Sequence, residues 1–317
     1  MLIIEKYCLY SPQAHISDHT VAMTSTATVG NKWVVGSRPR TLPAAVVPVV
    51  VGAACAAGLH NTVWWRASLA LVVSLALQVG VNYANDYSDG IRGTDDLRVG
   101  PVRLVASGLA SARSVKRAAF AAFGVAAVAG LVLAITTSWW LLVVGAAALL
   151  AGWFYTGGPK PYGYLGLGEL FVFVFFGLVA TVGTTFAVTQ QITGLSIVMG
   201  CGVGALACAL LVINNLRDIP TDRKVGKKTM AVRLGDRRTR LVYASLISLA
   251  FEVGIVAALV WRPWVALVLL AIPVAVVPAR RVLHGASGRD LIAVLGETGR
   301  LQMVYGVLAA IGLIVSR

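Results

Sequence analysis

The chain has 317 residues, of which 58% are hydrophobic and 13% charged, with a formal net charge of +14 and a mean hydropathy of +0.80. A soluble domain carries about 25% charged residues, and no soluble core of this size absorbs so much apolar surface, so an ordinary soluble fold is excluded. Net positive charge in a soluble chain would point to nucleic acid; here it reads as the loop bias of a membrane protein, with membrane lipid and no nucleic acid as the expected partner.

Residues 1–30 are polar and lack the apolar stretch of a signal peptide. They read as a disordered extension ahead of a single domain over 31–317. Nine apolar runs follow, each about the length of a bilayer-spanning helix: 41–59, 67–88, 114–135, 138–156, 166–189, 193–216, 240–260, 263–282 and 297–315. Short connections around His60–Arg66, Thr136–Ser138, Thr189–Thr193 and Trp261–Arg262 alternate with long polar ones at 89–113, 157–165, 217–239 and 280–296. The expectation is an all-α polytopic protein of nine helices, with the N-terminus and every long loop on one face. Of the 27 lysines and arginines, only Arg66, Arg262 and Arg317 fall on the other. The positive-inside rule assigns the basic face to the cytoplasm. Trp64, Trp65, Trp139, Trp140, Trp261 and Trp264 cluster at the short turns, as an aromatic belt at the far interface does.

The second run ends in VNYANDYSDGIRGTDD, Val81 to Asp96. Asn82, Asp86 and Asp89, spaced i, i+4 and i+7, share one helix face. Asn85 lies beside them, and Asp95 and Asp96 follow in the loop. The connection after the fourth run, WFYTGGPKPYGYLGLGE, is a Gly/Pro-rich turn. Lys160 is its one basic residue, set among Tyr155, Tyr162 and Tyr164. The sixth run ends in NNLRDIPTDRKVGKK, with Asn214, Asp218 and Asp222 again on one face until Pro220 disturbs the helix, and Asn215 adjacent. Both acidic ends fall on the same side. Facing each other, they would repel unless cations stood between them. Carboxylate oxygens in this arrangement suit Mg²⁺. The surrounding Arg92, Arg98, Arg103, Lys160, Arg217, Arg223 and Lys224 suit a diphosphate, the metal bridging acids to phosphate and the bases neutralising the remaining charge. Lys227 and Lys228 have two readings, diphosphate or anionic lipid. Ordinary interfacial charge explains one aspartate at a helix end, but two matched clusters point to a site. Glu252, inside the seventh run, reads as a buried structural acid. No Cys or His spacing suggests a metal centre.

These residues resemble the UbiA superfamily of intramembrane prenyltransferases. Asn85, Asp86 and Asp89 match its first motif, NDxxDxxxD, except that Gly93 stands at the final aspartate and Asp95 lies two residues on. That pattern, with NNLRDI, AVRLG, RPRTLPAAVVPVVVG and YTGGPKPYGYLGLGE, is similar to the branch that acts on 1,4-dihydroxy-2-naphthoate. The resemblance covers the chain from Trp33 onward. It implies a nine-helix bundle around a central cavity open to lipid, in a bacterial inner membrane, with the site at the cytoplasmic side. It implies transfer of a polyprenyl group from polyprenyl diphosphate to 1,4-dihydroxy-2-naphthoate with decarboxylation, giving demethylmenaquinone. In such a site Asn82, Asp86, Asp89 and Asp95 would serve one Mg²⁺, and Asp218 and Asp222 a second. Asn85, Asn214 and Asn215 would add amide oxygens. Lys160, Arg92 and Arg103 would meet the diphosphate. Tyr83, Tyr87, Phe154 and Tyr155 are the aromatic faces for an allylic cation, while Phe171, Phe173, Phe175 and Phe176 read as packing. Two alternatives stay open: another aromatic acceptor such as 4-hydroxybenzoate, and a secondary transporter, which would carry its ionisable residues near the midplane.

Overall fold

A computed structural model describes residues 31–94, 100 and 102–317. The extension 1–30, Asp95, Asp96 and Arg98 lie outside the described residues. Alternating apolar runs and polar turns become helices in chain order: α1 (Lys32–Ser37), α2 (Pro43–Cys55), α3 (Trp65–Ile91), α4 (Ala112–Thr136), α5 (Trp140–Phe154), α6 (Gly168–Val172), α7 (Ala180–Thr189), α8 (Gly194–Lys224), α9 (Met230–Val260), α10 (Ile272–Leu283) and α11 (Asp290–Val315). A π-helical stretch, Phe173–Val179, fuses α6 and α7 into one rod, the fifth counted from α2, with α9 the seventh; a 3₁₀ stretch, Pro263–Ala271, leads into α10. Among the described residues, seven rods are long and apolar enough to cross a membrane. The first and fourth expected spans form shorter helices of 13 and 15 residues, α2 and α5. The chain is a multi-pass membrane protein.

Helix α8 is the axis of the bundle. Its most apolar stretch is 78% buried, against 33–56% for the other six long rods. One apolar cluster joins it to α2, α9, α10 and α11 through Val47, Leu206, Ile213, Tyr243 and Leu301. A second joins α3 to α4 and to the segment between them, through Tyr83, Leu104, Val115 and Phe123. Helix α5 packs on α3 and α4. Close approach of α8 to the π stretch needs small residues: a Cβ on Gly177 would lie 2.6 Å from the Gly204 Cα, too close for any side chain.

Three expectations change. Pro220 does not end α8, which runs on to Lys224; Asp218 and Asp222 therefore stand on regular helix. The seventh rod begins at Met230 and carries its break at Gly235, whose φ is +76°. Glu252 is exposed on α9 rather than buried.

At the end of the short turns, the two arginines there that break the charge rule have structural partners. Arg66 donates to the carbonyls of Ala187 and Thr136, at the ends of α7 and α4. Arg262 donates to Ala57 and Ser316, just past α2 and α11. Cations here satisfy carbonyls that a helix C-terminus leaves without partners.

Candidate active site

Both acidic helices end in the same way. At α3, Gly93 takes φ +66°, its N–H donates to Gly90 O, and Thr94 N–H donates to Asp89 O at 3.1 Å. At α8, Gly226 takes φ +75°, its N–H donates to Arg223 O, and Lys227 N–H donates to Asp222 O at 2.9 Å. Each is a Schellman cap with a left-handed glycine. Gly93, at the place of the first motif's final aspartate, supplies the positive φ that this cap uses. In each helix the acid is the residue whose carbonyl receives the outer cap bond. The cap on α8 also places Lys227 against α3.

The two tips meet at one end of a cavity of about 540 Å³. Asp89, 4% exposed, is the centre of the polar end. Its Oδ1 accepts from the Tyr164 hydroxyl at 2.5 Å and from Lys227 Nζ at 3.2 Å, and Arg103 Nη2 lies 3.8 Å from its Oδ2. Lys227 Nζ also sits 4.5 Å from the centre of the Tyr164 ring. Burial alone would push the Lys227 ammonium below its ordinary value, but Asp89, Tyr164 and Asp222 outweigh it and hold it above. Burial, then the Asp89 charge, lifts the Tyr164 phenol. Asp218 is gripped by the guanidinium of Arg217 in a fork, with bonds of 2.7 and 2.9 Å. Asp218, Asp222, Asn214 and Asn215 all line the cavity with Asn82, Asn85, Asp89 and Arg103. Asn85 Oδ1 accepts from Thr156, and Asn215 Nδ2 donates to Glu169.

Other expected residues sit elsewhere. Asp86 is 1% exposed and does not line the cavity. Its two oxygens accept from the backbone N–H groups of Leu104 and Val105, at 2.8 and 3.0 Å. It anchors the segment that carries Arg103. Arg92 turns from the cavity to the carbonyls of Thr156 and Gly158, its guanidinium 5.4 Å from the Tyr164 ring. Lys160 is exposed on its loop and outside the lining. Lys227 stands where a basic group was expected. Of the expected aromatic faces only Tyr155 lines the cavity: Tyr83 donates to Trp33 O, Tyr87 stacks on Trp153, and Phe154 is exposed. Tyr162, Phe171, Phe175 and Phe176 line it instead, with Tyr162 stacked on Phe171 at 4.0 Å. Phe171, Phe175 and Val179, spaced i, i+4 and i+8, share a face and line the cavity together with Phe176. Phe173 packs near Gly204, as expected of all four.

The donors on the cavity wall are carboxylate and amide oxygens, the set that suits a hard divalent cation. Among the described residues, no three acids, histidines or cysteines stand close enough to enclose a metal by themselves. The acids fit a cation that shares its shell with phosphate oxygens, as Mg²⁺ does with one or two carboxylates. Beyond the acids the lining turns apolar, along α4, α5 and the fifth rod, with Leu131, Leu142, Leu149 and Val179.

Residues 45–311 match the UbiA prenyltransferase family. The chain is 53% identical over 279 residues to 1,4-dihydroxy-2-naphthoate octaprenyltransferase of Mycobacterium tuberculosis, covering 88% of this chain and 95% of that one. It is 34% identical over 305 residues to the protein of the same name from Escherichia coli, covering 90% and 96%. Its fold is similar to a UbiA homolog from Archaeoglobus fulgidus bound to GPP and Mg²⁺, with a TM-score of 0.62, 17% identity and coverage of 90% and 99%. It is also similar to a UbiA homolog from Aeropyrum pernix, with a TM-score of 0.65, 16% identity and coverage of 87% and 96%.

Proposed function

The chain belongs to the UbiA prenyltransferase family, and from that membership we propose that it is a 1,4-dihydroxy-2-naphthoate polyprenyltransferase of menaquinone synthesis. The observation that carries this reading is one cavity with two chemistries: buried acids and bases at one end, an apolar aromatic bore along the rest. A polyprenyl diphosphate has the same two parts. Its diphosphate lies between the α3 and α8 tips, and its tail lies along α4, α5 and the fifth rod. The polar end faces the cytoplasm, the side to which the basic loops belong.

Asp89, Asp218 and Asp222 are the residues that would hold Mg²⁺, sharing it with the diphosphate. When bound, the ion neutralises charge on the leaving group. Lys227 and Arg103 add fixed positive charge on the same side, already oriented by Asp89. The prenyl C1–O bond breaks and its electron pair leaves on the diphosphate. The allylic cation at C1 faces the rings of Tyr155, Tyr162 and Phe171. Apolar walls keep out water that would trap it. The electron-rich ring carbon bearing the carboxylate forms the new C–C bond. That carboxylate then leaves as CO₂, and the electron pair of the broken bond restores the aromatic ring. By electron balance the immediate product is the quinol, demethylmenaquinol; oxidation to demethylmenaquinone takes two electrons in a separate step.

The test is purified protein with Mg²⁺, a polyprenyl diphosphate and a panel of aromatic acceptors, read by product mass. Dihydroxynaphthoate should gain the prenyl mass and lose CO₂. Prenylated 4-hydroxybenzoate with its carboxylate retained, and no naphthalene product, would overturn the choice of acceptor.

A further inference from the structure

Polar residues continue down α3 below the acidic tip, into the apolar part of the cavity. Asn82 and Gln78, 4% and 7% exposed, line it at successive turns. Both stand below the diphosphate end: Asn82 and Gln78 are seven and eleven residues from Asp89, about 10 and 16 Å along the helix axis. The hydroxyl of Thr41 fixes both amides. It donates to Arg38 O at 3.0 Å, so its remaining lone pairs accept. They take Gln78 Nε2 at 3.0 Å and Asn82 Nδ2 at 3.3 Å. Asn82 Nδ2 also donates to Ser37 O at 2.8 Å, which can only accept. Ser37 O fixes the nitrogen of Asn82, and with the Thr41 proton on Arg38 O the hydroxyl fixes that of Gln78. The two carbonyl oxygens, Gln78 Oε1 and Asn82 Oδ1, receive no hydrogen bond from a described residue.

We propose that Gln78 and Asn82 form the acceptor subsite, two fixed hydrogen-bond acceptors that take the two hydroxyl groups of a para-hydroquinone. The inference rests on the prenyl-transfer reading above and deepens it. Residues four apart on a helix have Cβ atoms about 5–6 Å apart, comparable to the separation of oxygens across a 1,4-substituted ring. Two acceptors demand two donors. A reduced diol supplies them; a quinone supplies none and would leave buried carbonyls facing carbonyls. The subsite therefore selects the reduced acceptor and releases the product once it is oxidised. It also takes Asn82 from the metal and gives it to the ring, about two to three turns below Asp89 on the tail side of the diphosphate.

The test is binding and turnover by the full chain in nanodiscs. Probes are 1,4-dihydroxy-2-naphthoate, its two mono-methyl ethers and the matching quinone carboxylate. Wild type should bind each ether and the quinone about tenfold or more weakly than the diol, the effect of a buried acceptor left without its donor. Gln78→Met should lose discrimination against one ether and Asn82→Met against the other, with KM for the prenyl diphosphate unchanged. Thr41→Val should blunt both, and Thr41→Ser should restore them; this pair carries the test if Gln78→Met fails to fold. Folded Thr41→Val that discriminates like wild type, or changes confined to the prenyl diphosphate KM, would overturn the subsite alone. A wild-type protein that neither binds nor prenylates the diol would remove the choice of acceptor and the subsite together.

Discussion

Lys160 and Lys227 both lie in polar loops at the acidic end of the bundle, yet the protein treats them differently. Lys160 is exposed, whereas the Lys227 side chain is 11% exposed and paired with Asp89. An exposed charge contributes little, and a buried one missing its partner is costly. Lys227→Met should raise KM for the prenyl diphosphate by roughly tenfold to a hundredfold, and Lys160→Met should stay within about twofold; steady-state kinetics on membranes would check both. The Lys227–Asp89 pair also has a definite pH dependence. A lysine held above its ordinary value stabilises the fold fully below that value and loses the contribution as pH rises through the lifted one. The melting-temperature difference between wild type and Lys227→Met should thus be constant from about pH 7 to pH 9. It should shrink only above the ordinary lysine value of 10.5. Asp86 is a different case, since it holds two backbone amides. Asp86→Ala should cost about 2–4 kcal/mol of stability, seen as a lower melting temperature and faster proteolysis near Arg103. Loss of turnover with an unchanged melting temperature would return Asp86 to the metal.

At the scale of the element, the two acidic tips are built from one local rule. Asp89 and Gly93, and Asp222 and Gly226, share the spacing D-x-x-x-G, and in both the glycine closes the helix. The signal was present in the chain but reads as a cap only when the helix is known to run that far. Pro220 argued against this in α8. The fifth rod shows the opposite case: its π turn packs Gly177 on Gly204, a contact between segments distant in sequence. Gly177→Ala forces backbone apart and should cost about 1–3 kcal/mol. Gly124→Ala on α4, where a Cβ meets nothing within 4 Å, should be neutral or stabilising by up to about 1 kcal/mol. Thermal unfolding in detergent compares the two.

For the whole molecule, the charge pattern and the buried network agree on which ends belong together. Asp89 on α3 meets Tyr164 from the loop after α5 and Lys227 from the loop after α8. The short turns meet at the other end through Arg66 and Arg262. Cysteines placed at Arg223 and at Asn61, in a chain cleared of native cysteines, should label from opposite sides of the membrane. Arg223→Cys should react in inverted vesicles and Asn61→Cys in intact cells. Labelling of both from one side would overturn the topology and with it the cytoplasmic site.

Composition, apolar run length and the one-sided distribution of lysine and arginine were enough to establish a multi-pass helical protein. Motif spacing was enough to put Asp218 and Asp222, four apart, on one helix face, and both line the cavity with Asp89. The partner of each side chain was another matter. Asp86 and Asp89 are three residues apart with similar local sequence, but one meets the amides of a folded-back segment and the other a cavity. Lys227 and Gln78 acquire their roles from contacts with Asp89 and Thr41, 138 and 37 residues away in the chain. Helical periodicity places a residue on a face; only packing of distant segments decides what that face meets.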